Sequence, residues 1–433
     1  MPRIQDHLRK LSWVAADKAL FVLYGGVALF QIRALPPAEY GLYALLVSIQ
    51  TWIFVLADGL VLQGIIQFGA DRDKRPLLDG TAAALYVSII AASVGGLVLA
   101  EPLLSVVFGE PRFATVAKLE VLFCLVTIPR TYCLRLLQRD IQTRPIFWID
   151  LAWLGSMSIA TVHGIGVGWL NHFESLAGIA IGGMVCSSVA AVLICRGLLR
   201  FRLPDRSWLG TLLGFGISQT STSVIHTSVR QLDIVLAQSF FGTAAVGTYQ
   251  AAKTIFRFFE LGIDAAGSVV YPAAIGLQHA GDRAALHTVA SKAMSVLFVA
   301  YVAGYLMLLG GGSMLDVVLG QRYGAAIGQL QLMSLASLAM PLAVVGIILV
   351  AAGYSAVHAR ITALAALAAL ACFVGSGVAG NVQLFPFGVV AYYAVLGIGD
   401  WRAVVRRGIV QLRVLDLGRS IPDAASFIRK WRE

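Results

Sequence analysis

Apolar residues run in long unbroken stretches along this chain, and short polar stretches separate them. About twelve such runs lie between Val14 and Val405, each close to the roughly 20 residues an α-helix needs to cross the hydrocarbon core of a bilayer. Lipid cannot satisfy exposed backbone groups, so runs of this length are helical. A β-barrel would need strands of about ten residues that alternate between faces, and neither 84–100 nor 363–378 alternates. The predicted spans are 13–33, 41–65, 79–100, 114–136, 147–170 and 175–197 in the first half. In the second half they are 209–238, 245–275, 288–311, 326–352, 356–380 and 384–405. The fold class that follows is an all-α polytopic membrane protein.

Composition and charge orient the spans. Of 433 residues, 58% are hydrophobic and 13% charged, against about 25% charged in a soluble domain. Arg3, Arg9, Lys10, Lys74, Arg75, Arg139, Arg144, Arg196, Arg202 and the tail arginines fall on one side of the spans. The other side holds only Arg33, Arg112 and Arg322. Basic loops stay in the cytoplasm, so an even number of spans puts both termini there. The net charge of +10 is therefore an orientation signal that also attracts anionic membrane lipids. No basic domain stands outside the membrane, which argues against a nucleic-acid partner. The first span follows three basic residues but runs too long for a signal peptide and is expected to be retained. The tail segment Ile409–Arg432 reads equally as a surface helix or as a disordered basic segment. All five cysteines lie in or beside apolar spans without a C-x-x-C pair, so neither a metal nor a cofactor is expected.

The two halves echo one another. Ala38-Glu39-Tyr40-Gly41-Leu42-Tyr43 precedes the second span and Ala244-Ala245-Val246-Gly247-Thr248-Tyr249 the eighth. At the same offset of 206 residues, Ile49 meets Ile255 and Asp58 meets Asp264. Val106–Glu110 likewise resembles Val317–Gln321, and Pro129 and Pro341 follow at similar depth. Echoes in spans of matching rank point to a duplicated unit. The expected organisation is a six-helix bundle at 1–195, a cytoplasmic linker at 196–208, a second six-helix bundle at 209–405 and a basic cytoplasmic tail at 406–433. Parallel repeats of this kind place a cavity between two bundles that rock against each other.

Charges inside the spans are the candidate functional residues, because each costs about 2.5–3.5 kcal/mol at mid-bilayer and faces a partner, water or the bundle interior. Span seven carries a Ser/Thr run followed by His226, Arg230 and Asp233. Span eight carries Lys253, Arg257, Glu260 and Asp264 at steps of four, three and four residues, which share one helix face. Such a face lines a water-filled cavity or forms an internal salt-bridge network. Asp58 sits at the equivalent depth of span two. Asp58 and Asp264 either titrate or bind a cation during transport, or each holds a neighbouring base, with Lys18 a candidate for Asp58. Arg130 follows Pro129 in span four, where a guanidinium either offers a forked donor to phosphate or reaches for the interface.

At these residues a family resemblance appears. Arg33-Ala34-Leu35 followed by Tyr40-Gly41-Leu42-Tyr43 resembles the first inter-helix loop of polysaccharide flippases, and Asp233 followed by the 241–253 segment resembles its second-half counterpart. These are the Wzx-type O-antigen and exopolysaccharide flippases of the multidrug/oligosaccharidyl-lipid/polysaccharide exporter superfamily. The resemblance implies a protein of the bacterial inner membrane that moves an undecaprenyl-diphosphate-linked glycan from the cytoplasmic to the periplasmic leaflet by alternating access. It also implies H+ or Na+ coupling and cooperation with polysaccharide polymerase machinery. Under this reading Arg257, Lys253, Arg230, Arg130 and His226 bind substrate, while Asp58 and Asp264 couple the ion.

Two rivals stand beside this reading. A membrane-embedded glycosyltransferase or polymerase would need a sizeable outward loop, and the outward loops here are short with scattered acids. A multidrug or small-cation exporter of the same superfamily would favour an aromatic, acidic pocket, whereas span eight presents Lys253 and Arg257. No Walker loop occurs, so the chain is not itself expected to hydrolyse ATP.

Overall fold

The computed structural model describes residues 4–69, 71, 73–199 and 202–410, excluding the side chains of 4–11, 218–219, 221–226, 228–229, 268 and 279. Among the described residues there is no strand. In the first half α1 (Ile4–Ala34) precedes α2 (Pro37–Ala57), which continues through a π-helical turn at Asp58–Leu62 into α3 (Gln63–Phe68). Then come α4 (Arg75–Phe108), α5 (Phe113–Arg139), α6 (Thr143–Val167), α7 (Phe173–Cys195) and α8 (Arg206–Phe241). The second half holds α9 (Thr243–Ala280), α10 (Arg283–Gly310), α11 (Gly312–Leu319), α12 (Gly324–Ser334), α13 (Met340–Ala351), α14 (Ser355–Val378) and α15 (Phe387–Arg406).

Every predicted span coincides with a described helix or with a broken pair. Nine described helices are long and apolar enough to cross a membrane, ten when the pair bent by 45° around Ala339 counts as one. Two further helices are long enough but too polar. The 27 residues of α5 include Lys118, Glu120, Arg130, Arg135 and Arg139, and the 36 residues of α8 include the hydroxyl run, Arg230 and Asp233. Helices of this kind bury their polar side against protein rather than lipid.

Packing divides the chain into two compact units, Met1–Gly247 and Thr248–Glu433. The division falls in the first turn of α9 and not in the 196–208 segment, because α8 packs on α2, on the π turn and on α4. Nor is the 196–208 segment loose where it is described. Arg202 N donates to Pro76 O at 3.0 Å, and Asp205 N donates to Thr81 Oγ1 at 2.9 Å. Asp205 caps α8 by accepting from Ser207 N, a bond that holds its carboxyl below the usual range. The tail from 411 onward lies outside the described residues.

The first unit centres on Ile53, Val61, Leu62, Tyr86, Ile90 and Leu136, gathered from α2, the π turn, α4 and α5. The second centres on Val270, Leu286, Val344, Ile348 and Val404, where α15 packs against α13 and α14. The repeated glycines have a steric reason. A Cβ on Gly41 would lie 2.0 Å from Thr243 O, and one on Gly247 would lie 1.8 Å from Pro37 O. The starts of α2 and α9 thus meet backbone to backbone, each through its own glycine. The repeated prolines diverge: Pro129 lies inside α5, whereas Pro341 opens α13 just after the bend.

Candidate functional site

The π turn positions the first candidate. One extra residue in the helical ring lets Asp58 open the turn toward a cavity of about 690 Å³ within the first unit, and such insertions recur at functional positions in helices. Gln50, Thr51, Phe54, Thr127, Thr131 and Trp153 line this cavity, together with Arg130, Arg135 and Thr227. Amide, hydroxyl, ring and charge therefore share one space inside helices read as membrane-spanning.

Both arginines of the cavity are already engaged. Arg135 grips Asp58 with two parallel bonds, Nε to Oδ1 at 2.7 Å and Nη2 to Oδ2 at 2.6 Å. Gln63 Nε2 adds a third donor to Asp58 Oδ2 at 3.1 Å, and Arg135 Nη1 donates to Gln138 Oε1 at 2.6 Å. Asp58 is thus paired with Arg135 and not with Lys18, which lies over the Phe21 ring. Arg130 pairs with Asp150, donates from Nε to Ser187 Oγ at 2.9 Å, and sits 4.5 Å from the centre of the Trp153 ring. Ser187 passes its own hydrogen to Ile149 O at 2.9 Å. Asp17 lies beside Asp150 and keeps Oδ1 buried without a partner. Fork geometry and ring stacking explain why arginine, rather than lysine, occupies both positions.

The remaining candidates are distributed differently. Thr227 brings α8 to the cavity, and Arg230 lies one turn further along that helix, partly buried. His226 lies in α8, and its side chain falls outside the described ones. In the second unit, the 253–264 face of α9 is not uniformly open. Lys253 and Glu260 are buried, with Lys253 Nζ 6.0 Å from the Tyr249 ring centre and Glu260 accepting from Tyr393 Oη at 2.8 Å. Arg257 and Asp264 are exposed, and Arg257 makes no ion pair among the described residues. Common angular position did not give common burial, because the tyrosines of α9 and α15 cover part of the face.

Loop charges that the sequence left scattered form a cluster. Arg112 binds Glu39 through two bonds of 2.6 and 3.0 Å and reaches Glu174 at 3.0 Å, while Glu39 also accepts from Phe173 N at 2.8 Å. The Glu39 carboxylate stabilises the guanidinium and raises its pKa above the ordinary value. This cluster ties the starts of α2, α5 and α7 together. The sequence reading missed it because its members lie 62 to 134 residues apart.

A family model described as "Polysaccharide biosynthesis protein" matches residues 32–328. The chain belongs to this polysaccharide biosynthesis protein family. No curated protein sequence matches the chain. Among solved structures, the family member resembles an inward-facing multidrug resistance MATE transporter of the MOP superfamily with a TM-score of 0.71 at 14% identity, over 92% of this chain and 98% of the other. Lipid II flippase MurJ in an inward closed conformation gives 0.72 at 13% identity, over 93% and 89%. A mutant of the Vibrio cholerae MATE transporter VcmN gives 0.60 at 14%, over 92% and 98%. Identities this low carry the fold, which is that of MOP-superfamily transporters with twelve helices in two bundles.

Proposed function

We propose that this protein is a flippase that carries a lipid-diphosphate-linked oligosaccharide, with undecaprenyl as the lipid, from the cytoplasmic to the periplasmic leaflet of a bacterial inner membrane. Both termini are cytoplasmic in this reading, and the protein performs no bond chemistry. The observation that carries the proposal is the first-unit cavity, whose amide, hydroxyl, aromatic and guanidinium lining lies in helices of a polysaccharide biosynthesis family member. Amides and hydroxyls hydrogen-bond sugar hydroxyls, and the Trp153 ring offers an apolar face to a sugar. Arg130 presents a guanidinium on that side while Asp150 holds it in place. For the diphosphate itself, Arg257 is the preferred ligand, since it is exposed and makes no ion pair among the described residues. Arg230 and Lys253 support it. The bidentate grip of Arg135 favours a structural role for Asp58, leaving Asp264 as the exposed acid of the repeat pair.

The test is export in cells. Deleting the gene should remove surface polysaccharide and accumulate its lipid-linked precursor inside. Complementation with Arg257→Ala should restore membrane protein but less than about one-tenth of surface glycan, and Arg257→Lys should restore an intermediate amount. Unchanged surface glycan after deletion, combined with heightened sensitivity to cationic drugs, would replace this reading with multidrug export.

A further inference from the structure

A second titratable site lies in the second unit, away from every residue assigned above. His358, in the first turn of α14, has Nδ1 3.0 Å from Asp400 Oδ1 on α15. The Asp400 side chain is fully buried, whereas that of His358 is 28% exposed. Asp400 Oδ2 is buried and lacks a hydrogen-bond partner among the described residues. The backbone of α13 closes over both groups at Gly346, where a Cβ would fall 2.3 Å from Asp400 Oδ2 and 2.8 Å from His358 Cε1. Three helices therefore converge on one pair, and only a glycine fits the third side.

Among the described residues, no other charge is seen to pair with the carboxylate. α13 carries no ionisable side chain. On α15, Arg402 and Arg406 are exposed, and Arg407 lies 5.2 Å from the Tyr354 ring centre. On α14, Arg360 is exposed. Of the groups on α10, which packs on α13, Arg283 and Lys292 are exposed and His287 is partly buried. The stretch of α9 in the same apolar cluster carries Tyr271, which is exposed, and His279, whose side chain lies outside the described ones. Beside an ionised carboxylate, which only accepts hydrogen bonds, the imidazole would donate from Nδ1 and leave Nε2 for an incoming proton. Imidazole is the side chain whose charge changes between about pH 5 and 8. A proton taken up at Nε2 converts a neutral ring beside a buried carboxylate into an ion pair, with no other bond made or broken.

The pair also adjoins the bend. Gly397 lies one turn before Asp400 on α15, and a Cβ there would fall 2.7 Å from Ala339 O, at the break where α12 and α13 part by 45°. We propose that His358 and Asp400 form a proton-binding site whose occupancy biases the geometry of the α13–α15 contact at this bend. A proton shifts a conformational equilibrium only through its differential affinity for the two states, and a site wedged between a glycine crossing and a helix break supplies that difference. Proton binding stands on this geometry alone. Its use to drive cargo rests on the proposed flippase function.

The experiment uses the full chain in lipid nanodiscs with 15N-labelled histidine, the His358 signal being identified by its loss in His358→Gln. The expected result is a His358 ring signal that responds to pH, with a midpoint that moves in Asp400→Asn and again in Gly346→Ala. A ring signal that does not respond to pH, or responds identically in folded Asp400→Asn, overturns the site. Where Asp400→Asn does not fold, Gly346→Ala alone decides, since an unchanged midpoint is incompatible with the crowding at that glycine. In cells, His358→Gln should flatten the pH dependence of surface-glycan export. Normal glycan export in a gene deletion would sink the flippase reading and leave the nanodisc titration intact.

Discussion

Three carboxylates, two in the first unit and one in the second, are held in contrasting ways. In the first, Asp58 and Asp150 are each held by an arginine, one bidentate and one stacked on Trp153. In the second, Asp400 is held by a histidine and keeps one oxygen without a partner among the described residues. A guanidinium stays charged at every accessible pH, so the first pairs are permanent struts. An imidazole gains and loses its charge near neutrality, so the second pair has two states. The comparison separates charges that shape a cavity from a charge able to report on its surroundings.

The largest expected effect lies at Arg130. Its removal in Arg130→Ala strands Asp150, whose side chain is only 7% exposed, beside Asp17. Breaking one side of a buried pair costs about 3–5 kcal/mol, which should appear as a lowered unfolding temperature in detergent. The double variant Arg130→Ala/Asp150→Ala should recover part of that loss. Equal loss in single and double variants would show that the pair contributes nothing as a pair.

A smaller effect is expected at Asp58. In Asp58→Asn the side chain keeps its shape and can accept only one of the Arg135 bonds well. With 17% and 24% of the two side chains exposed, solvent screens the change, and a loss on the order of 1–2 kcal/mol follows. The loss should be the same at pH 6 and pH 8, in contrast to any change made at His358. A pH-dependent loss would move Asp58 from strut to switch and restore the ion-coupling role assigned from the sequence.

The Arg112 cluster sets the lower bound. Its arginine and Glu174 are 37% and 44% exposed, so Arg112→Gln should cost no more than about 1 kcal/mol. That cost should shrink in 1 M salt, where the screening length is about 3 Å. A loss insensitive to salt would mean that Glu39, at 14% exposure, dominates the cluster as a buried acid.

The membrane class and the positions of the spans were legible in the sequence. Hydrophobic length is a local property that lipid imposes on each segment separately, so it survives without knowledge of neighbours. The same rule made Asp58 and Arg130 stand out, because charge inside a span needs a reason wherever the span packs. The motif glycines Gly41 and Gly247 were also visible, although their purpose, a backbone crossing too close to a carbonyl for any Cβ, was not.

Partners were decided only by the tertiary structure. Asp58 meets Arg135 across 77 residues, and His358 meets Asp400 across 42. Which face of a helix meets which neighbour depends on its rotation and on the side chains around it. The 253–264 face of α9 shows this, with two of its charges buried beneath tyrosines and two exposed. His358 and Asp400 escaped notice because each lies near the end of an apolar run, where a polar residue needs no partner in lipid-facing sequence logic. Packing of α13 at Gly346 turned two such residues into one buried pair. Sequence determines where a chain of this kind must be helical and which charges require accommodation, and the packed helices alone determine how each charge is accommodated.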